Sequence, residues 1–228
     1  FFRDGSDTEL ARFWPYVFGA AGDIDPEVAA RYSRLMAESQ TLIAEEVLAH
    51  LDLRGVHRLL DVGGGSGVFL SAVAASYPDL QLHLFDLPEV APAAQARFGA
   101  DGLAARTTIS SGSFRVDPLP MGADAISLVR VLYDHTDDTV RALLAKVHAA
   151  LPDDGRIIIA EPMAGGQTPS RAGDAYFGLY CMAMGTGRAR SADQIAALLQ
   201  DAGFSRVRRH KTGRPFVTGL VEARKTPS

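Results

Sequence analysis

One cysteine, Cys181, is all the thiol chemistry that 228 residues hold. An internal disulfide framework and a multi-cysteine metal knot are therefore excluded, which fits a reducing cytoplasm. Cys181 itself reads as a small buried apolar residue. No apolar run approaches the ~18 residues that a membrane span needs. No charged-then-apolar leader opens the sequence. The first residue is Phe1 rather than Met, so the chain reads as the C-terminal part of something longer. A basic surplus is also missing: Lys and Arg total 23 against 27 Asp and Glu, a formal charge of -4. A general nucleic-acid binder needs such a surplus, because phosphate neutralisation supplies most of its affinity. No internal repeat and no low-complexity tract is present. What remains is an ordinary globular composition, 47% hydrophobic and 22% charged, long enough for one large core plus a small appendage.

The stretch from Phe1 to about Leu53 reads as helix, with Asp25-Pro26 as cap and first-turn pair and Glu27 adding negative charge at the helix start. Tyr32, Leu35, Met36, Ile43, Val47, Leu48 and Leu51 recur at three- and four-residue spacing. That apolar stripe must be buried, against either the rest of this chain or a region N-terminal to it. From Val56 the pattern changes to short apolar runs, at Arg58–Val62, Gln81–Phe85, Arg106–Ile109, Asp124–Leu132 and Gly155–Ala160. Helical stretches near Gly67–Ser76, Glu89–Phe98 and Asp137–Leu151 separate them. This alternation predicts a parallel sheet covered by helices on both faces. After Glu161 come two helical stretches, about Ala172–Met184 and Ala192–Ala202, then strands at Ser205–Lys211 and Phe216–Ala223 around Thr212-Gly213. The closing pair reads as an antiparallel hairpin at the sheet edge.

The strongest motif is Leu59-Leu60-Asp61-Val62-Gly63-Gly64-Gly65-Ser66-Gly67, placed after a predicted strand and opening a predicted helix. Glycines there let the chain turn tightly and let a ligand approach backbone amides. A dinucleotide-binding loop shows G-x-G-x-x-G, whereas this one runs G-x-G-x-G with Val68 at the sixth position. Asp61 gives nothing to a pyrophosphate but suits the ammonium of an amino-acid moiety, as in S-adenosylmethionine. The second strand ends in Phe85-Asp86-Leu87-Pro88, where a carboxylate can accept both ribose hydroxyl hydrogens. Loop, context and spaced acid together point to a nucleoside cofactor.

These residues, with the block Leu132-Tyr133-Asp134-His135-Thr136-Asp137-Asp138, resemble the class I S-adenosylmethionine-dependent O-methyltransferases of the plant caffeate-type and bacterial small-molecule family. Phe13-Trp14-Pro15-Tyr16-Val17-Phe18-Gly19 and Thr212-Gly213-Arg214-Pro215-Phe216-Val217-Thr218 narrow the resemblance to the bacterial hydroxyneurosporene (demethylspheroidene) group of carotenoid synthesis. The resemblance implies an α/β Rossmann-like methyltransferase fold, a seven-stranded mostly parallel sheet with an antiparallel last strand, preceded by helices. It further implies that residues 1–53 are a helical segment left from an N-terminal dimerisation region, and residues 54–228 the methyltransferase domain. Cofactor-binding roles carry over to Asp61, Gly63, Gly65, Asp86 and Leu87, and an adenine-flanking segment to Gly112-Ser113-Phe114, where Ser113 replaces an acid. The implied cofactor is S-adenosyl-L-methionine, with S-adenosyl-L-homocysteine as product.

The family places a catalytic His where this sequence has Tyr133, and a His stands two residues on, at His135. Unperturbed tyrosine titrates near 10 and histidine near 6.5, so His135 is the better free base, while the position favours Tyr133. Glu161 matches a family glutamate that buttresses the base, and Ala189 stands where a second one is expected. These departures imply that positioning dominates, which suits a tertiary aliphatic alcohol. Acids around Asp137 read as a helix N-terminus rather than a metal site. Tyr176, Phe177, Tyr180, Met182 and Met184 read as core or as an apolar acceptor wall. Arg206, Arg208, Arg209, Lys211 and Arg214 read as the solvated face of an edge strand. The sequence thus describes a cytoplasmic O-methyltransferase for a hydroxylated carotenoid. Alternatives are a phenolic or polyketide acceptor, or a non-catalytic S-adenosylmethionine-binding module. The expected assembly is a homodimer with brief membrane-surface contact to reach a lipophilic acceptor.

Overall fold

A computed structural model describes residues 26–227, with side chains described from residue 37 onward. Helix α1 (Pro26–Leu48) leads into β1 (Arg58–Val62), α2 (Val68–Ser76), β2 (Gln81–Asp86), α3 (Ala91–Ala100) and β3 (Thr107–Ser111). Then follow β4 (Ala125–Val129), α4 (Asp137–Ala150), β5 (Arg156–Glu161) and the short β6 (Met163–Ala164). Helix α5 (Phe177–Met184), β7 (Arg190–Ser191), α6 (Ala192–Asp201), β8 (Phe204–His210) and β9 (Gly219–Lys225) complete the chain. Seven strands form one sheet in the order β3-β2-β1-β4-β5-β9-β8, and β6 pairs with β7. Strands β1 to β5 are mutually parallel, and β9 runs antiparallel to both β5 and β8.

Strand alternation divides the interior in two. Leu60, Val62, Ile157 and Ile159 face Val140, Leu144 and Val147 of α4 and Ile195 and Leu199 of α6. Leu59, Ile158 and Ala160 face the other way, onto α1, α2 and α3, with Phe69, Leu70 and Phe98 buried there. Both faces of a mostly parallel sheet are thereby covered, which its near-continuous apolar strands require. The later part of the apolar stripe meets the rest of this chain: Ile43, Val47 and Leu51 are buried in the second cluster and Leu48 packs on its edge, while the side chains of Tyr32, Leu35 and Met36 lie outside those described. Asp25 and the Phe13–Gly19 block lie outside the described residues.

Three expectations change. The strand read as Asp124–Leu132 stops at Val129, because Arg130 takes a left-handed backbone with φ +59 and a 3₁₀ turn follows at Leu132–Asp134. The helix expected from about Ala172 opens as a π turn at Arg171–Tyr176, where the Asp174 carboxylate accepts from the Gly165 and Ser170 amides. The closing strands are joined by residues 211–218 rather than a tight turn, and the last strand sits inside the sheet with β8 at its edge. No helix among the described residues is long and apolar enough to cross a membrane.

Candidate active site

Strand order reverses between β1 and β4, so the crevice beyond their carboxyl ends is where this topology receives ligands. Asp61 lies there, opposite Ser127 of β4 in the parallel register. The Ser127 hydroxyl donates to Asp61 Oδ1 at 2.6 Å, while Oδ2 is buried with no hydrogen-bond partner. Burial pushes this carboxyl up to about 7; Ser127 pulls it down and the neighbouring Asp86 adds to the rise. A buried carboxylate oxygen without a partner, beside glycine amides, is a seat for a cationic group.

The loop itself is shaped by two close approaches. A Cβ on Gly64 would stand 2.6 Å from Asp61 Oδ2, and one on Gly67, at φ +78, would stand 2.6 Å from the Phe98 ring. Helix α3 braces the loop from outside, with Arg97 Nε donating to the Ser66 carbonyl at 2.9 Å. Gly63 donates to the Phe85 carbonyl, and Gly65 donates to Asp86 Oδ2 at 2.7 Å. The other oxygen of Asp86 accepts from the Leu87 amide at 2.7 Å. Asp86 thus ties the loop after β1 to the loop after β2, and burial raises its pKa. Helix α2 begins at this loop with no side-chain cap and no acid in its first turn, leaving its N-terminal amides for an anionic group. An unpaired carboxylate oxygen, uncapped helix amides and a second acid at the next strand end are chemically complementary to the ammonium, carboxylate and ribose of S-adenosylmethionine.

Ser113 and Phe114 continue the same rim: Gly112 donates to the Asp86 carbonyl, and Ser113 donates its amide to Asp117 Oδ2 at 2.7 Å. Phe114 makes an edge contact with the His135 ring at 5.2 Å between centroids, linking this rim to one of the two base candidates.

The two base candidates do not share a face, because the 3₁₀ turn rotates the chain between them. Tyr133 is buried against α5, with Phe177 and Tyr180 at 5.9 and 5.8 Å. Burial and the adjacent Asp134 raise its hydroxyl well above the ordinary tyrosine value, so it stays protonated. His135 points to Arg115, whose Nη2 donates to His135 Nδ1 at 3.2 Å. Arginine is a donor only, so Nδ1 is the acceptor and Nε2 carries the ring proton. Burial, then Arg115 and Arg190, lower the imidazolium pKa to about 4. Glu161 meets the backbone of this turn rather than the side chain of either base candidate. Its Oε2 accepts the Tyr133 backbone N–H at 3.2 Å, its Oε1 is buried without a hydrogen-bond partner, and burial pushes its pKa up to about 7. It holds the turn rather than buttressing a base directly.

A further residue controls this turn and carries no signal in the sequence. Arg190, fully buried, donates to the Leu132 carbonyl at 2.8 Å, to the His135 carbonyl at 2.8 Å and twice to Asp137 Oδ1. Ala189, beside it, borders a concavity shared with Cys181, Met182 and Gly187. Cys181 is buried, and its thiol is pushed up to about 11, by burial first.

Sheet order, switch point and glycine loop define a doubly wound domain built for a nucleoside-bearing cofactor. A family model described as an O-methyltransferase domain matches residues 2–205, and the chain belongs to that family. Demethylspheroidene O-methyltransferase of Cereibacter sphaeroides is 57% identical over 98% of this chain and 59% of its own length. The protein of the same name from Rhodobacter capsulatus is 52% identical over 98% of this chain and 55% of its own. Among solved structures, human N-acetylserotonin methyltransferase in complex with SAM is 25% identical and superposes with a TM-score of 0.80, over 99% of this chain and 64% of that one. A mitomycin 7-O-methyltransferase is 28% identical with a TM-score of 0.81, over 94% of this chain and 60% of that one. The chain therefore spans somewhat more than half the length of the curated relatives it matches.

Proposed function

We propose that the chain is the cofactor-binding part of an S-adenosylmethionine-dependent O-methyltransferase acting on a hydroxyl of a hydrophobic small molecule, a hydroxylated carotenoid of the demethylspheroidene type. The observation that carries the reading is Asp61 Oδ2, a buried carboxylate oxygen without a hydrogen-bond partner at the glycine loop. Its natural complement is the ammonium of the cofactor's methionine part. The loop amides and the uncapped start of α2 receive the carboxylate, and Asp86 the ribose. The names and identities of the two bacterial relatives support the acceptor class.

When bound, S-adenosylmethionine supplies an electrophilic methyl on a cationic sulfur that departs as a neutral thioether. The chain's own residues align and enclose. Tyr133, Phe177 and Tyr180 form an aromatic wall beside the turn. Helix α5 leaves Leu179 and Met182 exposed, as the π turn before it leaves Tyr176. Neither Tyr133, held protonated, nor His135, with Nδ1 already occupied, is poised to take a proton before attack. An aliphatic alcohol does not need that. Its oxygen would attack while still protonated, and once methylated would be acidic enough to release that proton to a nearby acceptor or water. The reading extends to a cytoplasmic homodimer that meets its acceptor at a membrane surface, supported by the lipophilic character of such an acceptor.

The test is calorimetric titration with S-adenosylmethionine, followed by incubation with demethylspheroidene. Binding, and formation of one S-adenosylhomocysteine per methyl ether, is the expected result. Asp86→Ala removes the ribose acceptor and loosens the loop, so cofactor affinity falls at least roughly a hundredfold, the loss of two charge-assisted hydrogen bonds. Cofactor binding without turnover of any alcohol or phenol would mark a non-catalytic module, and turnover of naphthols alone a phenolic acceptor.

A further inference from the structure

At the opposite end of the sheet from Asp61 and Asp86 lies a concavity of about 440 Å³ that the reaction does not use. It sits on the face covered elsewhere by α1 to α3. Arg156, Glu222 and Arg224 continue the alternation of Ile158 and Leu220, but among the described residues the apolar cluster of that face stops short of them. Five guanidiniums line it: Arg54 from the loop before β1, Arg156 from the start of β5, Arg206 and Arg208 from β8, and Arg224 from β9. His50 and His210 stand at its sides.

Most of these cations are already held in place. Arg54 pairs with Asp52 at 2.6 Å. Arg206 and Arg224 both pair with Asp154, at 3.1 and 2.9 Å. Arg156 and His210 share the buried carboxylate of Glu222, and Arg156 also donates to the Asp52 carbonyl at 2.7 Å. Arg208 has no carboxylate partner among the described residues, whereas its neighbour Arg209 turns to the other face and pairs with Asp193. Five guanidiniums against the three carboxylates Asp52, Asp154 and Glu222 leave a surplus of two positive charges. The pairs fix the forks in orientation, so a ligand meets donors that lose little freedom on binding.

We propose that this arginine-lined concavity is a binding site for a small, multiply charged anion of phosphate or diphosphate chemistry. Planar guanidinium forks match phosphate oxygens two at a time, and a surplus of two matches a dianion. The chain as a whole carries -4, which repels an extended polyanion such as an anionic bilayer or a nucleic acid. A compact anion seated in the concavity feels the local surplus instead. The site is separate from the cofactor crevice, so occupancy is independent of methyl-donor binding.

Calorimetric titration of the full chain with inorganic pyrophosphate tests this, with sulfate and phosphatidylglycerol vesicles as parallel arms at matched ionic strength. Saturable one-to-one pyrophosphate binding is expected, weakened roughly tenfold by Arg208→Ala and again by Arg54→Ala. Arg208 has no carboxylate partner to strand, so that variant keeps the wild-type melting temperature. Absence of saturable binding, or binding that survives both substitutions, overturns the proposal. So does retention on vesicles without pyrophosphate binding, which would make the concavity a lipid-headgroup contact.

Discussion

Asp61 has one oxygen satisfied by Ser127 and the other facing no donor, and this asymmetry links stability to cofactor binding. Its folded pKa of about 7 lies above the ordinary carboxylate value of 3.8. Between those values the folded chain holds a proton that the unfolded chain has released, so stability from this group falls as pH rises from about 4 to about 7. Cofactor binding runs the other way, because the ammonium pairs with the ionised form. Affinity for S-adenosylmethionine should therefore rise with pH, roughly tenfold from pH 6 to pH 8. Asp61→Asn should flatten that profile, weaken binding and raise the melting temperature of the ligand-free protein at pH 8. A wild-type pH profile in the variant would remove Asp61 from the ammonium role. The same scale decides between the bases. His135→Ala should leave turnover within about threefold of wild type with no altered pH profile, since its Nδ1 is occupied and its pKa is far below neutrality. Loss of activity on the alkaline side alone would restore it as the base. Asp61 and Asp86 were legible because they sit at strand ends beside a glycine motif. Arg190 was not, because most of its partners are backbone carbonyls and one acid more than fifty residues away, and nothing in a linear pattern marks a buried cation.

At the scale of elements, the glycine loop is held by a helix three elements on. Phe98 of α3 packs where a Gly67 side chain would be, and Gly67 itself is left-handed. Gly67→Ala must move a buried ring and strain the backbone, so a loss of about 2–4 kcal/mol in urea unfolding is expected, with weakened cofactor binding. A second substitution, Phe98→Leu, relieves the ring clash and should restore part of the stability in the Gly67→Ala background; no recovery would mean that the backbone conformation alone sets the cost. The turn at Leu132–Asp134 is the element the sequence described least well. Apolar residues continue past Arg130 to Val131 and Leu132, so the run reads as strand to its end. A left-handed Arg130 ends that strand and separates Tyr133 from His135. Periodicity records which residues are apolar and says nothing of a single backbone dihedral. The edge strand shows the same limit, because a register shift between Ser205 and Arg208, with Arg206 left-handed at φ +52, interrupts a ladder that the sequence reads as regular.

For the molecule as a whole, strand and helix alternation was enough to predict a doubly wound sheet, since both faces demand apolar cover and the helices supply it in order. The boundary at residue 54 is where whole-molecule packing speaks differently. Ile43, Ala44 and Val47 of α1, with Leu51 and Leu53 of the loop after it, are buried in the same cluster as Leu59, Phe69, Leu70 and Val73. Glu46, also buried, accepts from the Gly213 and Arg214 amides and so pins the loop between the last two strands. Burial of an aliphatic side chain contributes about 1.5–3 kcal/mol, so losing four of them removes on the order of 6–12 kcal/mol, comparable with the whole stability of an ordinary domain. A chain beginning at residue 54 should therefore fail to give a cooperative unfolding transition and should bind a hydrophobic dye. A chain beginning at residue 37, which retains Ile43, Ala44, Val47, Leu51 and Leu53, should unfold cooperatively. Cooperative unfolding of the shorter chain, with a midpoint near that of the longer one, would show that α1 is an attachment to the domain and not a layer of its core.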